Sequence, residues 1–495
     1  IRDLFRNPTI AELSEFVVPI EKEIDQAIVT GKLPLTPIQI DFLGLSETDM
    51  HHYNQSVMLY SKERLELDAI NRVFGKIQEH HDMLRTTLKY ENESYFQVIK
   101  DTSLPVSIKE YNFINETNGN DLLLKEGEKL QASIDLVNGP LMKLALFHLS
   151  DGDRLLIVIH HLAMDGVSWR ILFEDIENLY NQYKTNTPLK LPLKTNSYSD
   201  WADFLIQYSN SPELIKEKEY WSQFQYDKIP ILKGDYNTSS NIKKYRKKIS
   251  FSIDKNKTQQ LLTKANEPYS TKSNELLIAI FTLAIKDHFN INSIALAIEG
   301  HGRDSLGSGL NIGRTLGWFT SIYPIKINME HFYDISQHII ETKEYIRKTP
   351  NNGMGFGILK YLTSEENKND IKLDFHPQIS FNFLGQFDKD ISQMESFAIA
   401  NEKSGNTRSL EREGEYEIDF IGIVSNNQLN IILEYNEKQF KEETMKSLEK
   451  LFVKNLNNVL EHCLNINEVI LTPDDLTDKT LTKNDLDQIK NIFEK

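Results

Sequence analysis

Two short segments of the sequence place ionisable side chains directly after apolar runs. Residues 160–166, His-His-Leu-Ala-Met-Asp-Gly, follow an apolar run at 155–159, and Glu299 follows another at 295–298. Strand ends of this kind present side chains to a cleft on a rigid scaffold. Burial raises the pKa of a carboxyl group, so we expect a buried Glu299 to be suited to proton transfer near pH 7. The two strand exits are therefore candidate sites, and Glu299 is a candidate for proton transfer.

Both segments also have simpler interpretations. Histidine pairs occur at 51–52 and 80–81 as well, where we interpret them as structural or surface residues, and Glu299 alone is compatible with a solvated strand end. Asp165 stands four residues after His161, where its carboxylate can fix the loop by pairing with an arginine. A metal site is not expected at the histidines, because neither an HExxH motif nor a third ligand at suitable spacing accompanies them.

Three glycine-rich segments are interpreted as structural when each is taken alone. Residues 352–357, Asn-Gly-Met-Gly-Phe-Gly, lack the preceding apolar strand and the Lys-Ser/Thr ending of a phosphate loop, so they predict a tight loop before a helix at 358–362. Residues 313–320 and 380–386 combine glycine with aromatic side chains, a composition typical of core packing.

The predicted elements around these segments occur in two cycles. The first contains a helix at 67–80, strands at 84–88 and 95–99, a buried strand at 155–160 and a helix at 167–183. After helices at 198–208 and 213–224, the second contains a strand at 245–253, helices at 255–265 and 274–289, and a strand at 294–299. This order predicts two lobes of similar construction.

Composition limits the partners of the chain. Its 495 residues carry a net charge of −16, and such an acidic chain is repelled by nucleic acid and by anionic membrane surfaces. A single cysteine, Cys463, cannot form a disulfide framework, which fits a reducing compartment. With no long uncharged apolar stretch and no signal-peptide pattern, we expect a soluble, cytoplasmic protein. The first residue, Ile1, predicts a piece of a longer polypeptide.

Taken together, the motifs resemble those of the epimerization domain of nonribosomal peptide synthetases, a branch of the condensation-domain superfamily. Residues 3–18 are similar to the last helix of a peptidyl carrier domain. The motifs that carry the resemblance are LPLTPIQ at 33–39, HHLAMDGVSW at 160–169, EGHGRD at 299–304, GRTLGWFTSIYP at 313–324, PNNGMGFG at 350–357 and FNFLGQ at 381–386.

The resemblance implies an α/β fold in which two chloramphenicol-acetyltransferase-like lobes form a V-shaped pseudo-dimer with a central tunnel. It also predicts the division of the chain. The expected parts are a carrier remnant at 1–18, a linker at 19–32, an N-terminal lobe at 33–197, a C-terminal lobe at 198–470 and a tail at 471–495.

The resemblance also implies the reaction and its residues. An aminoacyl or peptidyl thioester, held on the 4′-phosphopantetheine arm of a carrier domain, is interconverted between L and D at Cα without an intrinsic cofactor or metal. By similarity His161 and Glu299 remove and return the proton, and the sequence leaves open which of them is the base. The supporting residues implied by the motifs are His160, Asp165, Arg303 and Asn382, with Asp165 expected to hold the loop.

Three features of the sequence are candidates for stabilising the negative oxygen of an enolate. The helix that begins near Gly166 offers free backbone N–H groups, and Asn382 and Arg303 match positions of functional weight in the family. Phe383 stands where tyrosine is usual and is left out of the catalytic set, while Asp304 stands where glutamate is usual.

The resemblance implies an upstream carrier domain in the same polypeptide as the partner. The tail at 471–495 is either a folded cap or a docking helix for the condensation domain of the next synthetase subunit. Two other functions stay open at this point, a peptide-bond-forming condensation domain and a non-catalytic module that docks carriers.

Overall fold

The computed structural model describes residues 24–475, except for 46–48, 103–104, 227–229, 238–240, 331–333, 369–370, 372 and 387–393. The predicted carrier remnant at 1–18 and the tail beyond residue 475 lie outside the described residues. Within the described residues, the strands form a three-stranded, a five-stranded and a six-stranded sheet.

The N-terminal half alternates strands and helices. Its elements, in chain order, are β1 (Gly31–Leu33), α1 (Pro37–Leu45), β2 (Asn54–Ser61), α2 (Leu67–His80), β3 (Thr86–Glu91), β4 (Ser94–Ile99), β5 (Ser107–Asn112), α3 (Gly119–Gln131), β6 (Met142–Leu149), β7 (Gly152–His160) and α4 (Gly166–Lys184). A short 3₁₀ turn, His161–Ala163, separates β7 from α4.

The C-terminal half repeats the pattern with a larger sheet. Its elements are α5 (Tyr198–Tyr208), α6 (Pro212–Lys216), α7 (Lys218–Tyr226), β8 (Arg246–Ile253), α8 (Lys255–Leu262), α9 (Ser273–Phe289), β9 (Ser293–Gly300), β10 (Ser321–Asn328), α10 (Ile335–Arg347), α11 (Met354–Tyr361), α12 (Glu365–Lys368), β11 (Ile379–Gln386), β12 (Ala398–Ile399), β13 (Ile418–Ser425), β14 (Gln428–Asn436) and α13 (Glu442–Leu464).

Each half is built on a strand whose exit carries a predicted site residue. All nine residues of β7 are buried, as expected of an apolar, β-branched run inside a covered sheet. In the second half, residues 294–298 of β9 are buried, while Glu299 and Gly300 at the strand end are partly exposed. The two buried strands predicted from the sequence are therefore confirmed; β7 is buried up to and including His160, whereas the polar end of β9 is partly exposed.

The C-terminal sheet is covered by α9, which is apolar around almost its whole circumference. Residues 275–285 of this helix are buried without interruption. A helix that is hydrophobic on all sides must be enclosed, and α9 packs against α10 and α13 as well as the sheet. The strand order of this sheet is β10-β9-β11-β13-β14-β8, with β11 parallel to both β9 and β13.

One short strand crosses between the halves. β12 belongs to the C-terminal half in chain order but pairs antiparallel with β2, so the five-stranded sheet has the order β12-β2-β7-β6-β5. A bridge between Tyr53 and Arg408 continues the contact past the strand. The predicted boundary at 197/198 stays a prediction, and β12 joins the N-terminal sheet by its hydrogen bonds.

Most predicted helices are confirmed, and several boundaries of helices and strands differ; for example, the helix predicted at 255–265 ends at Leu262, and the strand predicted at 155–160 begins at Gly152. The helices at 67–80 and 198–208 match to the residue. The helix predicted at 213–224 is divided at Glu217, whose N–H bonds the carbonyl of Leu214 in a tight turn. The helix predicted from 358 begins at Met354, after a 3₁₀ turn, and the strand predicted from 84 begins at Thr86 because residues 82–85 also form a 3₁₀ turn.

Candidate active site

The exits of β7 and β9 meet at a cavity between the two halves. It holds about 430 Å³ of space, including the part open to solvent. The lining side chains come from both halves, and they are Ile38, Asp41, Phe42, Tyr53, His161, Glu299, Trp318, Thr320, Ile322, Arg408 and Glu415. The structure thus brings His161 and Glu299, predicted from separate segments, to one cavity.

His161 is held by rings and by one amide. Its ring centroid lies 4.2 Å from that of Trp318 and 5.5 Å from that of Tyr53. Burial, with the Arg408 guanidinium acting in the same direction, lowers the pKa of His161 to about 4. The imidazole is therefore neutral at pH 7 and able to take a proton.

The tautomer of His161 follows from its neighbours. The indole Nε1 of Trp169 donates to Gln55 Oε1 at 2.7 Å, and Gln55 Nε2 lies 2.8 Å from His161 Nε2. Because an indole N–H can only donate, the oxygen of the Gln55 amide must face Trp169 and its nitrogen must face the histidine. His161 Nε2 then accepts, so the neutral ring carries its proton on Nδ1 and has its basic lone pair on Nε2.

Glu299 is held by the strand beside it. β11 runs parallel to β9 with Phe381 opposite Ile298, and this register puts the amide of Asn382 next to the Glu299 carboxyl. Asn382 Nδ2 donates to Glu299 Oε2 at 2.5 Å. Burial raises the pKa of Glu299 to about 7, with the Asp419 and Glu415 carboxylates adding to the rise and Arg408 opposing it.

Asp165 and Arg303 clamp the two strand exits together. Arg303 Nη2 lies 3.2 Å from Asp165 Oδ1, and its Nη1 donates to the carbonyls of Ile312 and Thr315 at 3.1 and 2.9 Å. Asp165 also caps α4 by accepting from the backbone N–H of Ser168 at 2.8 Å. The pairing of Asp165 with an arginine agrees with the expectation from the sequence, and it commits both groups to holding loops.

We expect Asp165→Asn to lower the free energy of unfolding by about 3 kcal/mol or more, since removing one partner of a buried ion pair leaves the other charge unpaired. The side chains of Asp165 and Arg303 are 4% and 9% exposed. The measurement is urea denaturation followed by fluorescence.

A matched control for this variant is Asp334→Asn. Asp334 caps α10 by accepting from the N–H of Gln337 at 2.8 Å, and among the described residues it has no ion pair. Asparagine also caps helices well, so we expect a change of about 0.5 kcal/mol or less. Equal losses in the two variants would contradict the clamp.

Glycine is required directly before Arg303, because the backbone there lies very close to the backbone of Phe319. Gly302 has a φ of +64°, and a Cβ at this position would lie 1.6 Å from the carbonyl oxygen of Phe319. The loop after β9 therefore packs directly on the segment that carries Trp318. Any side chain here would push Trp318 and Arg303 apart.

The remaining predicted residues lie outside the cavity lining. His160 donates from Nε2 to the Met50 carbonyl at 2.9 Å and accepts at Nδ1 from the N–H of Leu162 at 3.1 Å. Burial lowers the pKa of His160 to about 3, so it is a neutral structural residue. Gly166 and Phe383 are likewise absent from the residues that line the cavity. The other histidine pairs are structural as expected, for example through the contact of His81 with Asp175 at 2.7 Å.

Several cavity residues were missed by the sequence reasoning. Tyr53, Trp318, Arg408 and Glu415 line the cavity with the predicted pair, and Gln55 contacts His161 from behind the lining, yet none of the five was predicted as a site residue. Trp318 lies in a segment interpreted as core, and its aromatic motif was the one available signal. Arg408 lies in a charged stretch without periodicity. Its position at the cavity follows only from the pairing of β12 with β2 and from the bridge to Tyr53.

A second, larger cavity adjoins the first. It holds about 940 Å³ of space, including the part open to solvent, and shares Ile38, Asp41, Trp318, Thr320, Ile322 and Glu415 with the site. Aromatic and aliphatic side chains extend the lining, and they include Trp201, Leu205, Tyr323, Met354, Phe356, Tyr361 and Phe375. Together the two cavities provide room for more than the reacting carbon atom.

The described residues offer neither a metal cluster nor a membrane-spanning helix. That part of the chain contains no group of three or more histidine, cysteine, aspartate or glutamate side chains able to hold a metal ion. Its helices include none that is long and apolar enough to cross a membrane. Burial raises the pKa of Cys463 to about 12, so its thiol is unreactive at neutral pH.

Comparison with known proteins identifies the family. The condensation-domain model matches residues 29–482. Surfactin synthase subunit 1 of Bacillus subtilis (strain 168) is 39% identical over 497 residues, which cover 100% of this chain and 14% of that protein. Gramicidin S synthase 1 of Brevibacillus brevis is 38% identical over 505 residues, covering 99% of this chain and 46% of that protein. The chain spans less than half the length of these relatives.

Solved structures agree with this match. The epimerization domain from the third module of tyrocidine synthetase B is 36% identical, with a TM-score of 0.86, and the match covers 89% of this chain and 100% of that one. The first condensation domain of the calcium-dependent antibiotic synthetase shares the fold at 14% identity, with a TM-score of 0.64 over 87% of this chain and 97% of that one.

The chain belongs to the condensation-domain family of nonribosomal peptide synthetases. Its fold is accordingly that of two chloramphenicol-acetyltransferase-like lobes, as the motifs implied. Domains of this family act on substrates tethered to the 4′-phosphopantetheine arm of a carrier, without an intrinsic cofactor.

Proposed function

We propose that this chain epimerises the Cα of an aminoacyl or peptidyl thioester carried on a 4′-phosphopantetheine arm. The observation that carries the proposal is the placement of His161 and Glu299, one from each half, on the lining of one cavity. One is a neutral base with pKa about 4 and the other a carboxyl with pKa about 7. The similarity to an epimerization domain over the whole length of that domain supports the same reaction.

The reaction needs two groups on opposite faces of the substrate. A proton next to a thioester carbonyl is weakly acidic, and a base removes it to leave an enolate. An acid on the other face then protonates Cα, which inverts its configuration. In the neutral pair, His161 Nε2 has the basic lone pair, which must exchange the Gln55 amide for the Cα proton when substrate binds, and Glu299 holds a proton. The pair then supplies one base and one acid. Asn382 positions Glu299 through its amide.

The upstream partner in this proposal is the carrier domain of the same polypeptide. The described end of the predicted linker is held on the N-terminal half rather than free. Gln26 Oε1 accepts from the N–H of Lys194 at 2.8 Å, and Arg85 donates to the Val29 carbonyl at 3.3 Å. At the other end, Lys343 Nζ lies 2.8 Å from Asp475, so this residue of the predicted tail at 471–495 is held on the C-terminal half.

The test is solvent exchange in deuterated water. Carrier domain loaded with L-aminoacyl-4′-phosphopantetheine, over a panel of amino acids and their N-acetyl forms, is incubated with the chain and the thioester is analysed by chiral chromatography and mass spectrometry. We expect a D product with one deuterium at Cα. Absence of exchange across the whole panel contradicts the proposal.

The same assay, repeated with a second loaded carrier present, separates the alternatives. A peptide-bond-forming condensation domain would join the groups of two loaded carriers into a longer product and leave Cα protiated. A non-catalytic docking module would bind the loaded carrier and change neither its configuration nor its isotope content.

A further inference from the structure

Arg408 occupies a special position among the residues that line the cavity. In the described lining it is the one lysine or arginine, and it shares the cavity with His161 and Glu299. The other arginine near the strand exits, Arg303, is turned toward Asp165 and two backbone carbonyls. The loop arginine expected from the sequence to assist an enolate is therefore committed elsewhere.

The backbone of Arg408 is fixed by the crossing segment. Asn54 N–H donates to the Thr407 carbonyl at 2.8 Å, and Ser409 N–H donates to the His52 carbonyl at 3.0 Å. These bonds flank the bridge between Tyr53 and Arg408. The base of the side chain is thus held in place before any substrate enters.

The Arg408 guanidinium is also held in place, and its hydrogen-bond donors are not used in doing so. Its central carbon lies 4.3 Å from the centroid of the Tyr53 ring and over its face, a cation–π contact that holds the group without a hydrogen bond. Arg408 makes no side-chain hydrogen bond with the residues that the structure describes, and more than a third of its surface is exposed. Its donors are therefore available to a substrate.

The proposed reaction requires such a donor. When the base takes the Cα proton, the electron pair of the C–H bond moves into a carbon-carbon double bond and the thioester oxygen becomes negative. The carboxylates of Asp41 and Glu415, which line the same cavity, oppose that charge when ionised. A preorganised cation beside the oxygen stabilises it.

We infer that Arg408 binds the thioester carbonyl oxygen of the substrate and stabilises the enolate that forms when Cα is deprotonated. This inference rests on the proposed function and adds a catalytic residue to it. Reprotonation at Cα returns the electron pair to the new C–H bond, and the oxygen becomes a neutral carbonyl again. Arg408 gains and loses no proton in the cycle.

The test compares Arg408→Gln, Arg408→Lys and Arg408→Ala in the deuterium-exchange assay, with the best thioester of the panel. We expect Arg408→Gln to lower kcat about 10²–10³-fold, the range for loss of an oxyanion donor, and Arg408→Lys to lower it less. Guanidinium ions added to Arg408→Ala should restore part of kcat. They should not restore a Glu299→Gln variant.

A second readout is the pH profile. Because the charge of Arg408 lowers the pKa values of both His161 and Glu299, Arg408→Gln should move both limbs of the profile to higher pH. A merely structural role would lower the melting temperature without moving either limb. The matched control is Arg72→Gln on α2, an arginine that stacks on Tyr183 at 5.3 Å outside the cavity and should leave kcat unchanged.

The outcomes separate the inference from the proposed function. If the wild-type chain exchanges Cα protons while Arg408→Gln keeps kcat within threefold, the inference is wrong and the proposed function stands. A loss seen only in KM, or one not rescued by guanidinium in a folded Arg408→Ala, also overturns it. If the wild-type chain itself shows no exchange, the proposed function fails.

Discussion

We expect Glu299→Gln to abolish inversion at Cα, lowering the rate of epimerization by about 10²–10⁴-fold, the usual contribution of a general acid or base. Glutamine has the size of glutamate and can still accept the Asn382 amide hydrogen bond at its oxygen. It cannot exchange a proton with carbon. The loss therefore reports the chemistry of the carboxyl group and not its packing.

The isotope pattern of this variant is more informative than its rate. His161 still faces one side of the substrate, so we expect Glu299→Gln to exchange the Cα proton of one enantiomer with solvent while leaving its configuration intact. His161→Gln should show the complementary behaviour, exchanging the other enantiomer through Glu299. Mass spectrometry of each recovered enantiomer from deuterated water measures this.

The control for Glu299→Gln is Glu417→Gln. Glu417 also accepts an amide hydrogen bond, from Gln378 Nε2 at 2.7 Å, but it does not line the cavity. Its substitution should leave both inversion and exchange unchanged. Full inversion by Glu299→Gln, with a melting temperature equal to that of the wild type, would exclude the carboxyl group from the mechanism.

The second large effect is on pH dependence. We expect kcat/KM to be bell-shaped, with limbs near pH 4 and pH 7, and to fall about tenfold per pH unit beyond each limb. Below pH 4, His161 becomes protonated and the base is lost. Above pH 7, Glu299 loses the proton that it must deliver to Cα.

Both directions of the reaction should share this profile. In the active form, His161 and Glu299 share one titratable proton. Their pKa values place this proton on Glu299 in the dominant arrangement. The arrangement with the proton on His161 has the same total charge, so its population does not change with pH relative to the first. L-to-D and D-to-L rates therefore titrate together.

The measurement is initial exchange rates from pH 3 to 9, corrected for thioester hydrolysis in enzyme-free samples. The exchange that remains in Glu299→Gln should no longer fall above pH 7, because this variant lacks the Glu299 carboxyl group that titrates there. A wild-type rate that rises steadily from pH 5 to 9 would contradict the one-proton form and favour ionised Glu299 acting as the base.

Much of the fold could be predicted from local sequence patterns. The apolar run of β7 and the fully apolar α9 could be predicted because burial on all sides leaves an unbroken hydrophobic signature. β12 could not, since a two-residue strand has no periodicity and its pairing with β2 spans more than 300 residues of chain. The divided helix at Glu217 was missed because a single tight turn leaves the apolar spacing almost unchanged.

The candidate site shows the same division between local and distant information. His161 and Glu299 each follow a buried strand, so their exposure at a strand end was predictable from neighbours in sequence. The donor to Glu299, Asn382, depends on the register of β11 against β9, and the amide of Gln55 depends on its position opposite Trp169. Arg408 lies at the cavity because its segment crosses to the N-terminal half at β12 and bridges to Tyr53. No local sequence pattern predicts this crossing.

The crossing strand also sets how the chain can be divided. β2 lies at the edge of the N-terminal sheet unless β12 covers it, and β12 is supplied by residues 398–399. A fragment ending near residue 197 would present the unpaired N–H and C=O groups of β2 to solvent, a template for aggregation. Expressing the two halves as separate proteins should therefore give an insoluble N-terminal fragment, and co-expression with the C-terminal half should restore its solubility by strand complementation.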